Sequence, residues 1–230
     1  NITTRWAYVP NFITSDMAEL SVLVIGGGGR EHAICLGLSK SDSVAEIHCA
    51  PGTAGSAEIA TNHDIPNVSD LVHLAFLLYV DLVVVGPEAP LCEGLADKLG
   101  NMEIPCFGPV AGLARLEGSK LHAKQVMQAN NVPTADFLII DQATDVDHAL
   151  DQYSGNPWVI KRDVLAGGKG VVVTEDRAEA KEFIQQSINS DGKVLLEAFL
   201  PGNEASMLVV MDGSGFVCLP ASQDHKREFE

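Results

Sequence analysis

The chain has 230 residues, of which 46% are hydrophobic and 20% charged, and its formal net charge is −16. That length suits one large or two modest domains with a real core, and the composition is that of a folded rather than a disordered protein. The acidic balance argues against nucleic acid or an anionic membrane as the main partner, and no apolar run is long enough for a membrane span.

Residues 1–16 have one arginine and no hydrophobic stretch, so they do not read as a signal peptide. Met17 reads as a natural start, and what precedes it as a non-native or disordered extension. From residue 20 short apolar runs alternate with helical stretches. Strands are expected at 21–25, 46–49, 82–85 and 104–107, and helices at 30–40, 70–78 and 91–99. This alternation predicts a doubly wound, mostly parallel α/β sheet, Rossmann-like, which binds ligands outside the carboxyl ends of its strands. After Pro109 the pattern changes. Ser119 is a good N-cap for a helix over 120–129. An extended segment over 133–140 and a helix over 144–153 follow. Asp176 with Glu179 predicts a capping box at the start of a helix reaching Ile188. Strands are expected at 194–197, 206–210 and 216–219, separated by Pro201-Gly202 and Asp212-Gly213. The second half thus reads as α+β with antiparallel pairing.

The five cysteines show no C-x-x-C pair, and four lie in or beside apolar stretches, which suggests a reducing compartment and no structural zinc. Eight of the fifteen Lys and Arg residues fall in four short segments: Arg30; Lys120 and Lys124; Lys161, Arg162 and Lys169; Lys226 and Arg227. Such local positive charge in an acidic chain fits a small anionic ligand better than a polyanion.

The segment PWVIKRDVLAGGKGVVV over 157–173 places a glycine- and lysine-bearing loop between two runs of β-formers. Glycines let the backbone close on an anion, and lysines answer its charge. A P-loop would pass into a helix, whereas Gly170 is followed by valines. The segment fits a flap over a nucleotide's phosphates, or an ordinary hairpin with solvated lysines. Lys161 ends an apolar run, so its stem should be partly buried and its ammonium should have an anionic partner, for which a phosphate is the candidate. Lys120 and Lys124 share a helix face; Lys124 is read as solvated. Gly26-Gly27-Gly28-Gly29-Arg30-Glu31-His32 follows a strand and opens a helix, a place for a phosphate or phosphosugar as well as for a structural turn. It lacks the third glycine of the dinucleotide fingerprint, and Glu46 stands about where a ribose-binding acid would.

Taken together, several segments resemble the glycinamide ribonucleotide synthetase (phosphoribosylamine–glycine ligase) family of ATP-grasp enzymes. They are Gly28–His32, Ala50-Pro51-Gly52 with Ala54-Gly55, 85–91 (VGPEAPL), 107–109 (FGP), 116–120 (LEGSK), Ala123-Lys124, 133–135 (PTA), the flap, 204–206 (EAS) and 222–227 (SQDHKR). The resemblance covers residues 20–227. It implies a substrate-binding domain over 17–117, an ATP-grasp flap subdomain over 118–194, and the start of the ATP-grasp core over 195–230. It implies ATP as cosubstrate, with Lys120 and Lys161 on the phosphates and Lys161 and Lys169 in catalysis. Gly167, Gly168, Lys169 and Gly170 would form the closing flap, Glu197, Ala198, Phe199 and Leu200 the adenine hinge, and Glu204 would meet the ribose. Phosphoribosylamine would meet Gly28, Gly29, Arg30, Glu31, His32, Gly52, Gly55, Gly86, Pro87 and Glu88, with Asp224, Lys226 and Arg227 also on substrate.

The implied reaction joins glycine to phosphoribosylamine through a glycyl phosphate, in the cytoplasm, with fusion to later-pathway domains an open question. Mg²⁺ or Mn²⁺ would be held by carboxylates beyond Glu230, so this chain is expected to bind nucleotide weakly without turning over. Another purine-pathway ATP-grasp ligase and a non-catalytic nucleotide-binding module are the alternatives. Arg162, Val164 and Gly167 depart from the family's flap pattern. Val164 does not readily adopt a positive φ, which bears on the loop's path.

Overall fold

The computed structural model describes residues 19–165 and 170–223. They form two compact units, one running to Arg115 and the other starting at Leu116.

The first unit is built on strands β1 (Leu20–Gly26), β2 (Val44–Pro51), β3 (Thr61–Asn62), β4 (Leu82–Val85) and β5 (Cys106–Phe107). They lie in the order β3-β2-β1-β4-β5, with every pairing parallel. The central β1 is apolar almost throughout because both faces are covered. Leu23 and Ile25 join Val83, Val85, Leu71 and Leu95 on one face, while Val22 and Val24 join Cys35, Cys49 and Val84 on the other. The helices are α1 (Gly29–Leu38), α2 (Val68–Leu77), α3 (Glu88–Cys92), α4 (Leu95–Asn101) and α5 (Ala111–Gly118). The chain leaves β1 in one direction through β2 and β3, then returns to pair β4 on the other side. The crevice where that order reverses, beyond the carboxyl ends of β1 and β4, is where such sheets take ligands.

Two local expectations differ from the structure. The helix foreseen over 91–99 is two helices, because Gly94 takes a left-handed φ of +84° that a right-handed helix cannot continue through. The strand foreseen over 104–107 pairs only at Cys106 and Phe107.

The second unit contains α6 (Lys120–Ala129), β6 (Phe137–Asp141), α7 (Val146–Asp151), β7 (Trp158–Arg162), β8 (Val171–Thr174), α8 (Arg177–Asp191) and β9 (Lys193–Glu197). Its sheet runs β6-β9-β7-β8, antiparallel throughout. Alternation along the strands sorts side chains between two faces. Ile160, Val194 and Leu196 pack with Ile140, Ala180, Ile184 and Ile188 into the core beneath α8. By the same alternation Val159, Lys161, Leu195, Glu197 and Phe137 belong to the opposite face. Helix α8 starts at Asp176, whose carboxylate accepts from Ala178 N and Glu179 N. The foreseen capping box is only half made: Glu179 instead accepts from the Thr174 hydroxyl. The helix runs past Ile188 to Asp191, where Gly192 at φ +79° ends it.

Beyond Glu197, β10 (Ala205–Ser206) pairs with β13 (Ser222–Gln223), and β11 (Val209–Met211) with β12 (Phe216–Cys218). The single strand foreseen over 206–210 is therefore divided. From the pair Ser206–Ser222 to the pair Val209–Cys218 one strand advances three residues and the other four, so the register slips by one. Met207, Leu208, Met211, Phe216 and Val217 are exposed on this ribbon.

Candidate functional site

In the first unit the turns after β1, β2 and β4 come together. Gly52 N donates to Gly26 O at 3.1 Å, and Arg30 Nη1 donates to Gly86 O. Two glycines are demanded by this closeness. A Cβ on Gly86 would lie 1.9 Å from Glu31 Oε1, and Gly52 combines φ +77° with an Asn62 side chain 2.4 Å from where its Cβ would be. Glu31, read from the sequence as a substrate contact, is 5% exposed and accepts from Gly28 N at 2.6 Å. It works as a buried staple that shapes the turn. The His32 imidazole packs against Gly55, where a Cβ would come within 2.7 Å of the ring. Gly29 and Arg30 are exposed at the start of α1, and Gly28 is half-buried. Pro87 precedes α3, and Glu88 lies in its first turn.

A polar network invisible in the sequence backs the second turn. Thr53 N donates to Ser56 Oγ at 2.7 Å, and Asn62 Nδ2 donates to Thr53 O at 2.8 Å. Ser56 is fully buried. Glu46, by contrast, is misplaced for a ribose. It pairs in register with Ser21, five residues before the Pro51–Gly26 end of β2, or roughly 16 Å down the strand. Burial pushes the Cys35 and Cys106 thiols up to about 12, which favours their protonated form.

In the second unit the lysines gather on the sheet face opposite α8. Lys161 Nζ donates to Glu197 Oε2 at 2.9 Å, and its side chain is 30% exposed. Lys124, expected to be solvated, is instead 8% exposed and lies 3.1 Å from the same Glu197 oxygen. It also donates to Thr134 Oγ1 at 2.8 Å and Ala135 O at 3.0 Å, with the Phe137 ring 5.4 Å from its Nζ. A buried ammonium survives only when paired, and here each of its donors has an acceptor. The partner foreseen for Lys161 was a phosphate. The protein's own partner is Glu197, 3% exposed at the end of β9.

Lys120 is half-buried and donates to Val164 O at 3.1 Å, so it braces the beginning of the flap. The flap's base is fixed again by Asp163, which accepts from Ser119 Oγ at 3.0 Å and from Leu121 N at 2.9 Å. No sequence signal marked Asp163, because its partners lie more than forty residues away. Ser119 meanwhile caps α6 by accepting from His122 N at 3.1 Å. At the other edge Arg162 N donates to Gly170 O at 2.8 Å, closing the β7–β8 hairpin. The Arg162 guanidinium turns away to Asp191, with bonds of 2.6 and 2.8 Å that hold the Asp191 carboxyl below its ordinary range. Val164 takes no positive φ. Gly167, Gly168 and Lys169 of the foreseen flap, and Asp224, Lys226 and Arg227, lie outside the described residues. After β9, Ala198 N donates to Asp136 O at 2.9 Å, Phe199 is half-buried, and Leu200 and Glu204 are exposed.

Two domain models of one family match the chain in succession. The phosphoribosylglycinamide synthetase N domain covers residues 20–117, and its ATP-grasp (A) domain covers residues 118–230. The phosphoribosylamine–glycine ligase of Streptomyces coelicolor is 46% identical over 213 residues, which make up 92% of this chain and 50% of the relative. The crystal structure of the Thermotoga maritima phosphoribosylamine–glycine ligase is similar with a TM-score of 0.72 and 31% identity, over 90% of this chain and 51% of that one. An N5-carboxyaminoimidazole ribonucleotide synthetase, solved as an ADP complex, shares the fold with a TM-score of 0.72 at 19% identity, over 91% of this chain and 55% of that one. The chain spans about half the length of the curated relatives it matches.

Proposed function

Because the chain belongs to the phosphoribosylglycinamide synthetase family, we propose that it serves an ATP-dependent ligase that joins glycine to phosphoribosylamine. In this reaction the glycine carboxylate takes the γ-phosphoryl group of ATP and ADP leaves. The amine of phosphoribosylamine then attacks the acyl carbon of the glycyl phosphate. The new C–N bond forms as the bond to phosphate breaks, and the amine gives up a proton. Positioning and charge neutralisation supply most of the catalysis in such transfers.

The carrying observation is the Lys161 ammonium. It is partly exposed and held at 2.9 Å by a buried carboxylate, as a group poised for a phosphate oxygen should be. Lys120 stands at the flap base and would meet the phosphates with it. Gly167, Gly168, Lys169 and Gly170 would cover them and keep water from the acyl phosphate, with Lys169 assisting the transfer. Ala198–Leu200 would offer main-chain groups to the adenine, with Glu204 on the ribose. In the first unit, the turns at Gly28–His32, Gly52, Gly55 and Gly86–Glu88 would hold the phosphosugar at the strand-order reversal. Asp224, Lys226 and Arg227 complete the substrate set in this reading.

A divalent cation, Mg²⁺ or Mn²⁺, would neutralise the charge developing on the phosphates when bound. Among the described residues no group of three or more His, Cys, Asp or Glu is placed to hold one. Among those residues, too, no helix is long and apolar enough to cross a membrane. The substrates in this proposal are small molecules, and the reaction would run in the cytoplasm. Calorimetric titration of ATP into the chain and into its Lys161→Ala variant tests the proposal. Affinity should fall by roughly tenfold or more, as for loss of a charge-assisted contact. Equal affinity would remove Lys161 from the nucleotide site.

A further inference from the structure

Lys120 and Lys124 are one turn apart on α6, yet their surroundings divide them. Lys120 is half-buried at the flap, whereas Lys124 is sealed under the sheet with every donor taken. We propose that Lys124 is a positioning residue for the nucleotide site: it holds the Glu197 carboxylate and so keeps the Lys161 ammonium available to an anionic ligand. The inference rests on the nucleotide reading of Lys161 given above.

Two features of the cluster matter, its net charge and a shared atom. Lys124, Glu197 and Lys161 bring two cations and one anion together, a net charge of +1. Both ammoniums approach the same oxygen, Glu197 Oε2, at 3.1 and 2.9 Å. Lys124 therefore draws on the electron density that would otherwise belong to Lys161 alone. Only Lys161 has room to turn outward. The described residues take one of its three N–H groups, and its side chain is 30% exposed against 10% for Lys124. The surplus positive charge thus emerges at Lys161, where a phosphate would arrive. Without Lys124, Lys161 and Glu197 would form a closed neutral pair. An incoming anion would then meet a carboxylate 2.9 Å behind the ammonium it was meant to bind.

A residue needed only to fill the space beneath the sheet could be apolar. A buried lysine is costly unless its charge has a use or a full set of partners. Here the partners are spread over three parts of the unit: the end of β9, the 134–135 segment and the ring of Phe137. The ammonium thus ties the last residue of β9 to the 134–135 segment.

The test is calorimetric titration of ADP into four forms of the full 230-residue chain: unaltered, Lys124→Met, Glu197→Gln, and Lys124→Met with Glu197→Gln. Thermal unfolding is recorded for each. Lys124→Met should weaken ADP binding by about tenfold or more, since the cluster then carries no net charge. The double variant restores a lone Lys161 cation, and its affinity should exceed that of Lys124→Met by about fivefold or more. A purely structural role predicts instead that the double variant binds no better than the single one. That result overturns the proposal, as does unchanged affinity in Lys124→Met. If Lys124→Met does not fold, the double variant decides by the same criterion. Failure of both to fold assigns Lys124 to stability and overturns the proposal. An unaltered chain that binds no ADP removes the nucleotide reading, and this inference falls with it; that outcome is distinct from binding that ignores the substitutions.

Discussion

The two units build their candidate sites in opposite ways. The first uses backbone. Glycines at positions 26–29, 52, 55 and 86 bring three turns close enough to touch, and the one buried charge among them, Glu31, accepts from the Gly28 N–H within its own turn. The second uses side chains. Two lysines from α6 and one from β7 are fixed by Glu197, by Thr134 and by the carbonyls of Ala135 and Val164. A backbone cradle depends on the absence of atoms, and it fails when a Cβ is added. A side-chain cluster depends on balanced charge, and it fails when one partner is removed.

That contrast can be broken by substitution, and the largest effect belongs to the charged cluster. Glu197→Ala leaves Lys124 and Lys161 facing each other with no counter-charge; unfolding in urea should show a loss of about 3–5 kcal/mol. A loss within about 0.5 kcal/mol, the range of ordinary surface changes, would mean that the cluster is solvated and not an ion triad. Gly86→Ala attacks the other strategy, because its Cβ collides with the Glu31 carboxylate. A cost of about 1–3 kcal/mol is expected. Pairing it with Glu31→Ala, which clears the space, should make the two changes visibly non-additive.

Smaller effects sharpen the picture at its edges. Ser119→Ala removes the cap of α6 and one donor to Asp163, for about 1 kcal/mol in the same assay. The smallest concerns His63, whose imidazole is held below the ordinary 6.5 by burial and by neighbouring His48. The unfolded chain takes up this proton more readily, so the contribution is complete above about pH 6.5. It is lost as pH falls from there through the depressed folded value. The urea midpoint should drop between pH 7.5 and 5.5 in the unaltered chain, and drop less in His63→Gln.

Legibility in the sequence follows the same division. The cradle is local: glycines, the strand before them and the helix after them are neighbours in the chain, and the parallel sheet with its turns could be read directly. The Ser119 cap and the β7–β8 hairpin were local too. What escaped were side-chain contacts made by distant partners. Lys124 read as solvated because its helix face gives no hint of Glu197, more than seventy positions on. Asp163 gave no sign of α6, and Glu46 had the right spacing but the wrong end of β2. The break at Gly94 was missed for another reason: it turns on one residue's left-handed backbone, which periodicity averages away.

The central claim is that the nucleotide belongs to the lysine cluster and the phosphosugar to the glycine turns. Hydrogen–deuterium exchange of the chain with ATP, and separately with ribose 5-phosphate, tests it most directly. ATP should slow exchange in residues 158–162 and 193–200 and leave 26–32 unchanged, while ribose 5-phosphate should protect 26–32, 52–55 and 86–88. Protection of 26–32 by ATP, with the lysine-bearing strands unaffected, would contradict the account.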